Sequence, residues 1–317
     1  VPVLNVLLPV GISFYTFQAM SYTIDVYRRK VVPERNFFRF ELYVLFFPQL
    51  VAGPIERSNT LLPQVNKPHT FDADRLSRGL KLIVLGFFMK IVIADNLALI
   101  VNAVYSKPDN YFGWDILLAT CFFAIQIYCD FAGYTNIARG AAHILGIELM
   151  QNFKQPYFAV SVRDFWKRWH ISLSTWFRDY LYLSLGGKKV IKWKWYYNIL
   201  ITFIISGLWH GANWTFIVWG AIHGFMYLFE SIFREKYKRN STVIQTINSK
   251  PLLLNFRIIF TFLIVCFSWI FFRSKNISDA FIVIENLTQF KTILPVFSFD
   301  RKLIAISFIL IFILFVI

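Results

Sequence analysis

His170 and His210 are the side chains best suited to acid–base chemistry, and each lies beside a tryptophan in strongly apolar sequence. Imidazole has an ordinary pKa of roughly 6.5, which suits a general base near neutral pH. An ionisable side chain is costly in such surroundings, so it is a candidate for function. Glycines at 207 and 211 allow a close backbone approach or a helix break beside His210. The spacing alone equally allows His210 to be a buried histidine hydrogen-bonded to a carbonyl.

Other catalytic and metal-binding patterns are missing from the sequence. The histidines have no His-x-x-x-His, His-Glu or cysteine-cluster spacing, so we predict no metal site. A Ser-His-Asp triad remains open, although the sequence has no Gly-x-Ser-x-Gly elbow. Neither a Walker loop nor a dinucleotide fingerprint is present. The three cysteines, Cys121, Cys129 and Cys266, lie in apolar runs, where we expect small buried side chains.

The segment 161–170 has the pattern of an amphipathic helix that ends at His170. Ser161 and Asp164 have capping-box spacing. Four apolar side chains follow at helical spacing, namely Val162, Phe165, Trp166 and Trp169. The opposite face carries Arg163, Asp164, Lys167 and Arg168. We expect this helix to lie in the membrane interface with tryptophan at headgroup depth, and His170 to reach a cavity from the edge between the faces.

The composition predicts an all-α polytopic membrane protein. Of the 317 residues, 57% are hydrophobic and 19% aromatic, and the mean hydropathy is +0.52. Soluble domains are about 45–50% apolar. The apolar runs approach the roughly 20 residues that cross a bilayer as a helix, and they lack the alternation of barrel strands. These runs are residues 1–24, 79–105, 115–149, 196–209, 214–229, 252–272 and 303–317.

The net charge of +15 is concentrated in loops between apolar runs, so nucleic acid is not the expected partner. The basic loops 25–39, 186–195 and 234–250 can share one face, with the turn 106–114 on the other. The positive-inside rule makes the basic face cytoplasmic and brings it close to anionic lipid. This topology requires residues 40–53 not to cross, and we expect a re-entrant or interfacial piece there.

Several polar residues interrupt this apolar sequence. For Asp130 we favour a structural partner, either Arg139 or a helix N-terminus, over direct chemistry. Lys90 and Asp95 are five positions apart, which places them poorly on one face of a regular helix. We also expect His143 to be packed and hydrogen-bonded, and His69 to be a solvated loop residue.

Several long motifs occur together in one order along the chain. They are PVGISFYTFQAMSYTIDVYRRK (9–30), FFPQLVAGPIER (46–57), DFAGYTNIARGAAHILGIELMQNFKQPY (130–157), RDFWKRWHISLSTWFRDYLY (163–182) and LWHGANW (208–214). Together they resemble the membrane-bound O-acyltransferase family over roughly residues 9–230. The resemblance is to the bacterial branch that acetylates alginate or transfers D-alanine to teichoic acid, and the alginate group looks closer.

The resemblance implies that His210 matches the essential histidine of the family and His170 its second polar position. The implied fold is one integral-membrane domain over residues 1–317, a ring of tilted helices around a tunnel, with re-entrant and interfacial helices. Because the amino-terminal spans of the family look absent, and the chain stops within an apolar run, we expect a fragment.

The implied activity is O-acyl transfer, most simply acetyl transfer to an exported polysaccharide or cell-wall glycan. The donor would be a cytoplasmic thioester, acetyl-CoA or a phosphopantetheine carrier, with no tightly bound cofactor. The acceptor hydroxyl would come from the far side of the bacterial inner membrane, where a periplasmic or extracytoplasmic partner protein relays the acetyl group. D-alanyl transfer is the alternative within the branch. A transporter or flippase and a silent scaffold are the rivals outside it.

Oxyanion stabilisation could come from His170, Asn213 or a backbone N–H at 210–213. The basic helix 161–170 and the loop 188–194 suit a phosphate-bearing donor, although positive-inside topology explains the same charges equally well. The further supporting or substrate-binding candidates are Asn213, Trp209, Arg178, Asp179, Asp130, Arg163 and Trp169.

Overall fold

The computed structural model describes residues 11–237, 251–290, 295 and 297–316, and all secondary structure in these ranges is helical. The first helices are α1 (Ile12–Tyr27), α2 (Phe37–Val44), α3 (Ser58–Val65), α4 (Ala73–Phe87), α5 (Asp95–Ser106) and α6 (Trp114–Ile144). A π-helical segment, Phe88–Ala94, joins α4 to α5. The later helices are α7 (Val162–Arg168), α8 (Ile171–Trp176), α9 (Lys192–His210), α10 (Trp214–Tyr237), α11 (Pro251–Arg273), α12 (Ile277–Leu287) and α13 (Arg301–Val316).

Four helical stretches in the described ranges are long and apolar enough to cross a bilayer. They are Ala73–Ser106, Trp114–Ile144, Trp214–Glu235 and Pro251–Arg273. At a rise of about 1.5 Å per residue, each exceeds the roughly 30 Å hydrocarbon thickness. The prediction of an all-α polytopic membrane protein is confirmed. The ring and the tunnel remain predictions.

The chain forms two compact units, the first comprising Val1–Lys90 and Phe131–Asn152. Within it, α4 and α6 approach closely at two glycine pairs seven residues apart. A Cβ atom built on Gly86 would lie 2.5 Å from the Gly133 carbonyl oxygen, and one on Gly140 would lie 2.5 Å from that of Gly79. Small residues at such positions allow helix backbones to pack directly in a membrane.

The short helices α2 and α3 also belong to the first unit and build a small core around Tyr43. Residues 45–53 form turns after the eight-residue α2, and no candidate membrane-spanning helix includes residues 40–53, whose re-entrant or interfacial placement stays a prediction. Glu56 is buried beside this core, and its carboxylate accepts hydrogen bonds from the Met150 N–H and the Thr60 hydroxyl. Burial raises the pKa of Glu56.

The second unit comprises Ile91–Asp130 and Phe153–Ile317, and its centre is the antiparallel pair α9 and α10. Glycines again set the helix separation, because a Cβ on Gly207 would lie 2.2 Å from the Phe216 carbonyl oxygen, and one on Gly220 2.4 Å from that of Phe203. Helix α10 also packs against α7 and α11. The unit therefore brings the segments around both candidate histidines together.

The structure shows what the predicted helix 161–170 packs against. The predicted cap is confirmed, because Ser161 Oγ accepts the Asp164 N–H and Asp164 accepts the Val160 N–H. The apolar face of α7 is buried against protein and is not exposed to lipid, with Trp166 and Trp169 only 9% and 4% exposed. The position of this helix in the membrane interface stays a prediction. The apolar pattern was consistent with either partner, and packing against α10 and α11 decided between them.

Several predicted boundaries also move. Helix α1 continues to Tyr27 and α2 begins at Phe37, which shortens the loop predicted at 25–39. Helix α9 begins at Lys192, inside the loop predicted at 186–195, and α10 extends through Tyr237 into the loop predicted at 234–250. Residues 1–10 and 238–250 lie outside the described residues.

The polar segment 54–78 contains α3 and the start of α4. The assignment of Lys90 and Asp95 to different faces assumes a regular α-helix with about 3.6 residues per turn. The π-helical segment Phe88–Ala94 lies between α4 and α5, so that assumption does not hold there.

Candidate active site

The break between α9 and α10 occurs at the predicted place. His210 is the last residue of α9, and Gly211 continues in an extended conformation. The Asn213 N–H donates to the Gly211 carbonyl, and α10 begins at Trp214. A Cβ on Gly211 would lie 2.5 Å from the Phe216 ring, so only glycine fits here without movement. The imidazole of His210 is therefore held at a helix end, where the chain reverses.

The described contacts of His210 are with aromatic rings. Its ring centroid lies 4.7 Å from that of Trp209, 5.2 Å from Trp219 and 5.1 Å from Phe272. The imidazole is nearly perpendicular to the Trp219 indole, at 88°. His210 is therefore half-buried among aromatic rings.

His170 connects α7 to α8 in a left-handed conformation, with φ 43° and ψ 56°. A left-handed conformation costs a non-glycine residue about 1–2 kcal/mol, and strained residues concentrate at functional sites. The side chain is 3% exposed, and its ring centroid lies 6.5 Å from that of Trp209. Burial lowers the pKa of His170 well below its ordinary value, and the neighbouring His210 lowers it further. The fold thus brings together two histidines forty positions apart.

A cavity of about 620 Å³ is lined by Ile171, the residue after His170, but neither His170 nor His210 is among its lining residues. Its lining includes Ser174, one turn after His170, and Ser206, one turn before His210. The lining also contains four cationic side chains, namely Arg163, Lys167, Arg178 and Lys188. Hydroxyl and aromatic groups complete it, among them Thr175, Thr202, Phe177, Tyr182 and Tyr227. Arg163 and Lys167 of α7 therefore share one cavity with Arg178 and Lys188, whereas Arg168 of α7 pairs with Asp164.

Three of these cations have defined partners, and those of Lys188 are the Glu235 carboxylate at 3.3 Å and the Trp195 ring at 4.8 Å. Arg178 forms an ion pair with Asp179, with 2.7 Å between Nε and Oδ1, and this bond raises the pKa of Arg178. The Arg163 guanidinium lies 5.7 Å from the centroid of the Tyr227 ring, in cation–π geometry. Arg163 and Arg178, both supporting candidates from the sequence, line the cavity, and Asp179 is the ion-pair partner of Arg178.

The other supporting candidates have different roles. The Asn213 amide oxygen accepts the Thr215 N–H at 3.1 Å, and its nitrogen donates to the Lys275 carbonyl at 2.8 Å. Asn213 therefore caps α10 and connects it to the turn after α11. Trp169 is buried against Phe165 and Trp269 and supports α7. Asp130 is exposed and does not line the cavity.

The remaining polar residues singled out from the sequence have hydrogen-bond partners outside the cavity. Arg139 donates to the Leu149 carbonyl. His143 contacts Glu148 and Arg78, which confirms the prediction of a packed, hydrogen-bonded histidine. His69 is exposed, with Nε2 2.8 Å from the Gln64 carbonyl. Over the part of the chain that the structure describes, His, Cys, Asp and Glu form no group of three that could hold a metal ion.

Sequence reasoning passed over two residues of α10, His223 and Glu230. His223 is fully buried and bonded to the Trp166 indole N–H and to Ser268. Glu230 accepts the backbone N–H groups of Val162 and Arg163. The available indication was helical spacing, because Trp219, His223 and Glu230 recur at intervals of four and seven on one face.

Several known proteins have sequences similar to this chain. A family model described as MBOAT, membrane-bound O-acyltransferase family, matches residues 33–272. The probable alginate O-acetylase AlgI of Azotobacter vinelandii is 42% identical over 280 residues, which cover 88% of this chain and 53% of that protein. The peptidoglycan O-acetyltransferase of Helicobacter pylori is 32% identical over 310 residues, covering 90% of this chain and 57% of its own length.

The teichoic acid D-alanyltransferase of Bacillus subtilis is 30% identical over 291 residues, covering 86% of this chain and 70% of that protein. The chain spans about half the length of the alginate and peptidoglycan relatives. Its match to the family model includes both candidate histidines and every helix from α2 to α10. The chain therefore belongs to the membrane-bound O-acyltransferase family.

Proposed function

We propose that the protein to which this chain belongs is an O-acyltransferase that moves an acetyl group from a cytoplasmic thioester to a hydroxyl on the far side of the membrane. The observation that carries the proposal is the meeting of His170 and His210 at Trp209, close in the chain to residues that line a cavity with four cationic side chains. Membership of the family, and relatives named as O-acetylases of alginate and peptidoglycan, support the same chemistry.

His210 is the general base of the proposed reaction. It takes the proton of the acceptor hydroxyl as that oxygen attacks the thioester carbonyl, and the carbonyl oxygen becomes an oxyanion. The intermediate collapses to an ester and a thiolate, which regains the proton from the imidazolium. General base catalysis of this kind contributes about 10²–10⁴ in rate. His170, buried at the same tryptophan, donates to the oxyanion or orients the acceptor.

The cationic cavity is the proposed donor site. Phosphate oxygens of coenzyme A or of a phosphopantetheine carrier would contact Arg163, Lys167, Arg178 and Lys188. Ser174 and Ser206 are each about one helical turn in sequence from one of the two histidines. Their hydroxyls would line the path of the pantetheine arm. The donor binds as a substrate, so the proposal includes no tightly held cofactor.

The proposed location is the bacterial cytoplasmic membrane, with the basic loops on the cytoplasmic face. The acceptor is then a glycan hydroxyl or the hydroxyl of an extracytoplasmic relay protein that passes the acetyl group to an exported polysaccharide. The multi-pass helices supply the crossing between donor and acceptor.

The test uses the full-length protein in its host membrane, with ester-linked acetate on surface polysaccharide as the measurement. His210→Ala should abolish the acetate at unchanged membrane abundance. The matched control is His69→Ala, because His69 is an exposed histidine in a loop and acetate should be preserved. Full acetate in the His210→Ala cells would overturn the general-base role and favour a transporter or a scaffold.

D-alanyl transfer is the second candidate, favoured by the 30% identity to the Bacillus subtilis protein. Membranes supplied with radiolabelled acetyl-CoA, or with D-alanine on a phosphopantetheine carrier, separate the two possibilities. Label on the polymer from acetyl-CoA alone supports acetylation, and label from the D-alanyl carrier alone replaces it.

A further inference from the structure

Side chains on one face of α10 contact both ends of α7. Trp219, His223, Tyr227 and Glu230 recur along α10 at helical spacing and lie on the same face. Trp219 contacts His210 and the Trp166 ring, and His223 accepts the Trp166 indole N–H. At the other end of α7, the Tyr227 ring lies against the Arg163 guanidinium.

Glu230 lies on the same face of α10 and accepts two backbone hydrogen bonds from α7. Its Oε1 accepts the Val162 N–H at 2.7 Å and its Oε2 accepts the Arg163 N–H at 2.9 Å. These donors belong to the first turn of α7, where a helix has no internal acceptors for its N–H groups. A carboxylate here also interacts favourably with the helix dipole. Both oxygens of one side chain therefore fix the start of α7.

Helix α7 depends on such external contacts because it has only seven residues. Isolated helices shorter than about 12 residues are marginal in water, so tertiary contacts must decide where α7 lies. Its last backbone bond runs from the Trp169 N–H to the Phe165 carbonyl at 2.8 Å, and His170 follows directly. A shift or fraying of α7 would therefore move the His170 imidazole.

We propose that Glu230 is a positioning residue for His170, acting through α7. The inference rests on the proposed function, because it assumes that the His170 imidazole takes part in acyl transfer. Glu230 is absent from the cavity lining, so its effect is transmitted through the backbone of α7. A misplacement of about 1 Å at a reacting group can cost on the order of 10²-fold in rate.

The test compares full-length Glu230→Ala and Glu230→Gln with wild type in purified membranes. Kinetics with acetyl-CoA and a glycan acceptor give kcat and KM per folded molecule, and hydrogen exchange follows the amides of residues 161–170. Gln keeps the length of Glu and one acceptor oxygen, so it is the conservative variant. Glu285→Gln is the matched control, since Glu285 is an exposed carboxylate on α12.

We expect Glu230→Ala to lower kcat by on the order of 10²-fold with little change in the KM of the donor, and to speed exchange in 161–170 but not in α9. Glu230→Gln should give an intermediate kcat and Glu285→Gln the wild-type value. Unchanged kcat per folded molecule in Glu230→Ala would overturn the inference, even where protein abundance falls. His210→Ala is assayed beside these variants, because its retained activity would overturn the proposed function instead.

Discussion

The indole N–H of Trp166 donates a hydrogen bond of 3.2 Å to Nδ1 of His223, across α7 and α10. Because Nδ1 accepts, a neutral His223 carries its proton on Nε2. Nε2 lies 2.9 Å from Ser268 Oγ, whose own proton is donated to the Val265 carbonyl at 2.7 Å. This chain of bonds connects α7, α10 and α11 and satisfies a polar side chain in the aromatic core.

Trp166→Phe should destabilise the protein, because it leaves Nδ1 of His223 buried without its donor. A lost buried hydrogen bond with an unsatisfied partner costs about 1–3 kcal/mol. Thermal unfolding in detergent should show a lower midpoint. Trp193→Phe is the control, since Trp193 is 66% exposed at the start of α9 and its loss should leave the midpoint in place. Equal midpoints for Trp166→Phe and wild type would contradict the assigned bond.

At His170, glycine and alanine should separate backbone strain from chemistry. Both remove the imidazole, so both should reduce acetyl transfer by at least about 10²-fold. Glycine adopts the left-handed conformation without the penalty of a Cβ atom, so His170→Gly should be about 1 kcal/mol more stable than His170→Ala. Chemical denaturation and acetate release measure the two effects. An active His170→Gly protein would exclude a catalytic role for the imidazole.

Cations of the cavity should control the affinity for the donor. Lys167→Ala and Arg178→Ala should each raise the KM for a phosphate-bearing thioester by on the order of tenfold, with a smaller effect on kcat. Lys194→Ala is the control, because Lys194 is exposed on α9 and does not line the cavity. Wild-type KM values in Lys167→Ala and Arg178→Ala, as in the control, would place donor binding elsewhere.

Glycine contacts between α9 and α10 should be necessary for the position of His210. Gly207→Ala places a Cβ 2.2 Å from the Phe216 carbonyl oxygen and must separate the helices, at a cost of about 1–3 kcal/mol. Activity and stability should fall together. Gly224→Ala should cost less, because its Cβ would lie 3.1 Å from a side-chain atom of Phe203. A larger loss of stability in Gly224→Ala than in Gly207→Ala would contradict this packing of α9 against α10.

Glu56 should make stability depend on pH. Its pKa is raised in the folded state, so the folded protein binds more protons than the unfolded chain and loses stability as pH rises from the ordinary glutamate pKa through the raised value. Glu56→Gln imitates the protonated form and should raise the unfolding midpoint at neutral pH. The difference in unfolding midpoint between Glu56→Gln and wild type should shrink at about pH 4, where a glutamate in an unfolded chain is largely protonated.

Much of the local structure could be predicted because it depends on neighbours in the chain. The Ser161 cap, the break at Gly211 and the long apolar helices each follow from interactions within a few residues, or from apolar length alone. Histidine chemistry at His170 and His210 was also visible from residue type, aromatic context and flanking glycines. The family motifs then indicated how the two histidines relate.

Only the tertiary structure decided which surfaces meet. An apolar helical face fits lipid or protein equally well, so the burial of this segment depended on contact of α7 with α10 and of Trp169 with Trp269 of α11. Local sequence likewise could not place His170 in a left-handed conformation, direct Asn213 to the Lys275 carbonyl, or bring Glu230 to the start of α7. Each of these requires partners up to 68 positions apart in the chain, which are selected by the packing of whole helices and not by local conformational preference.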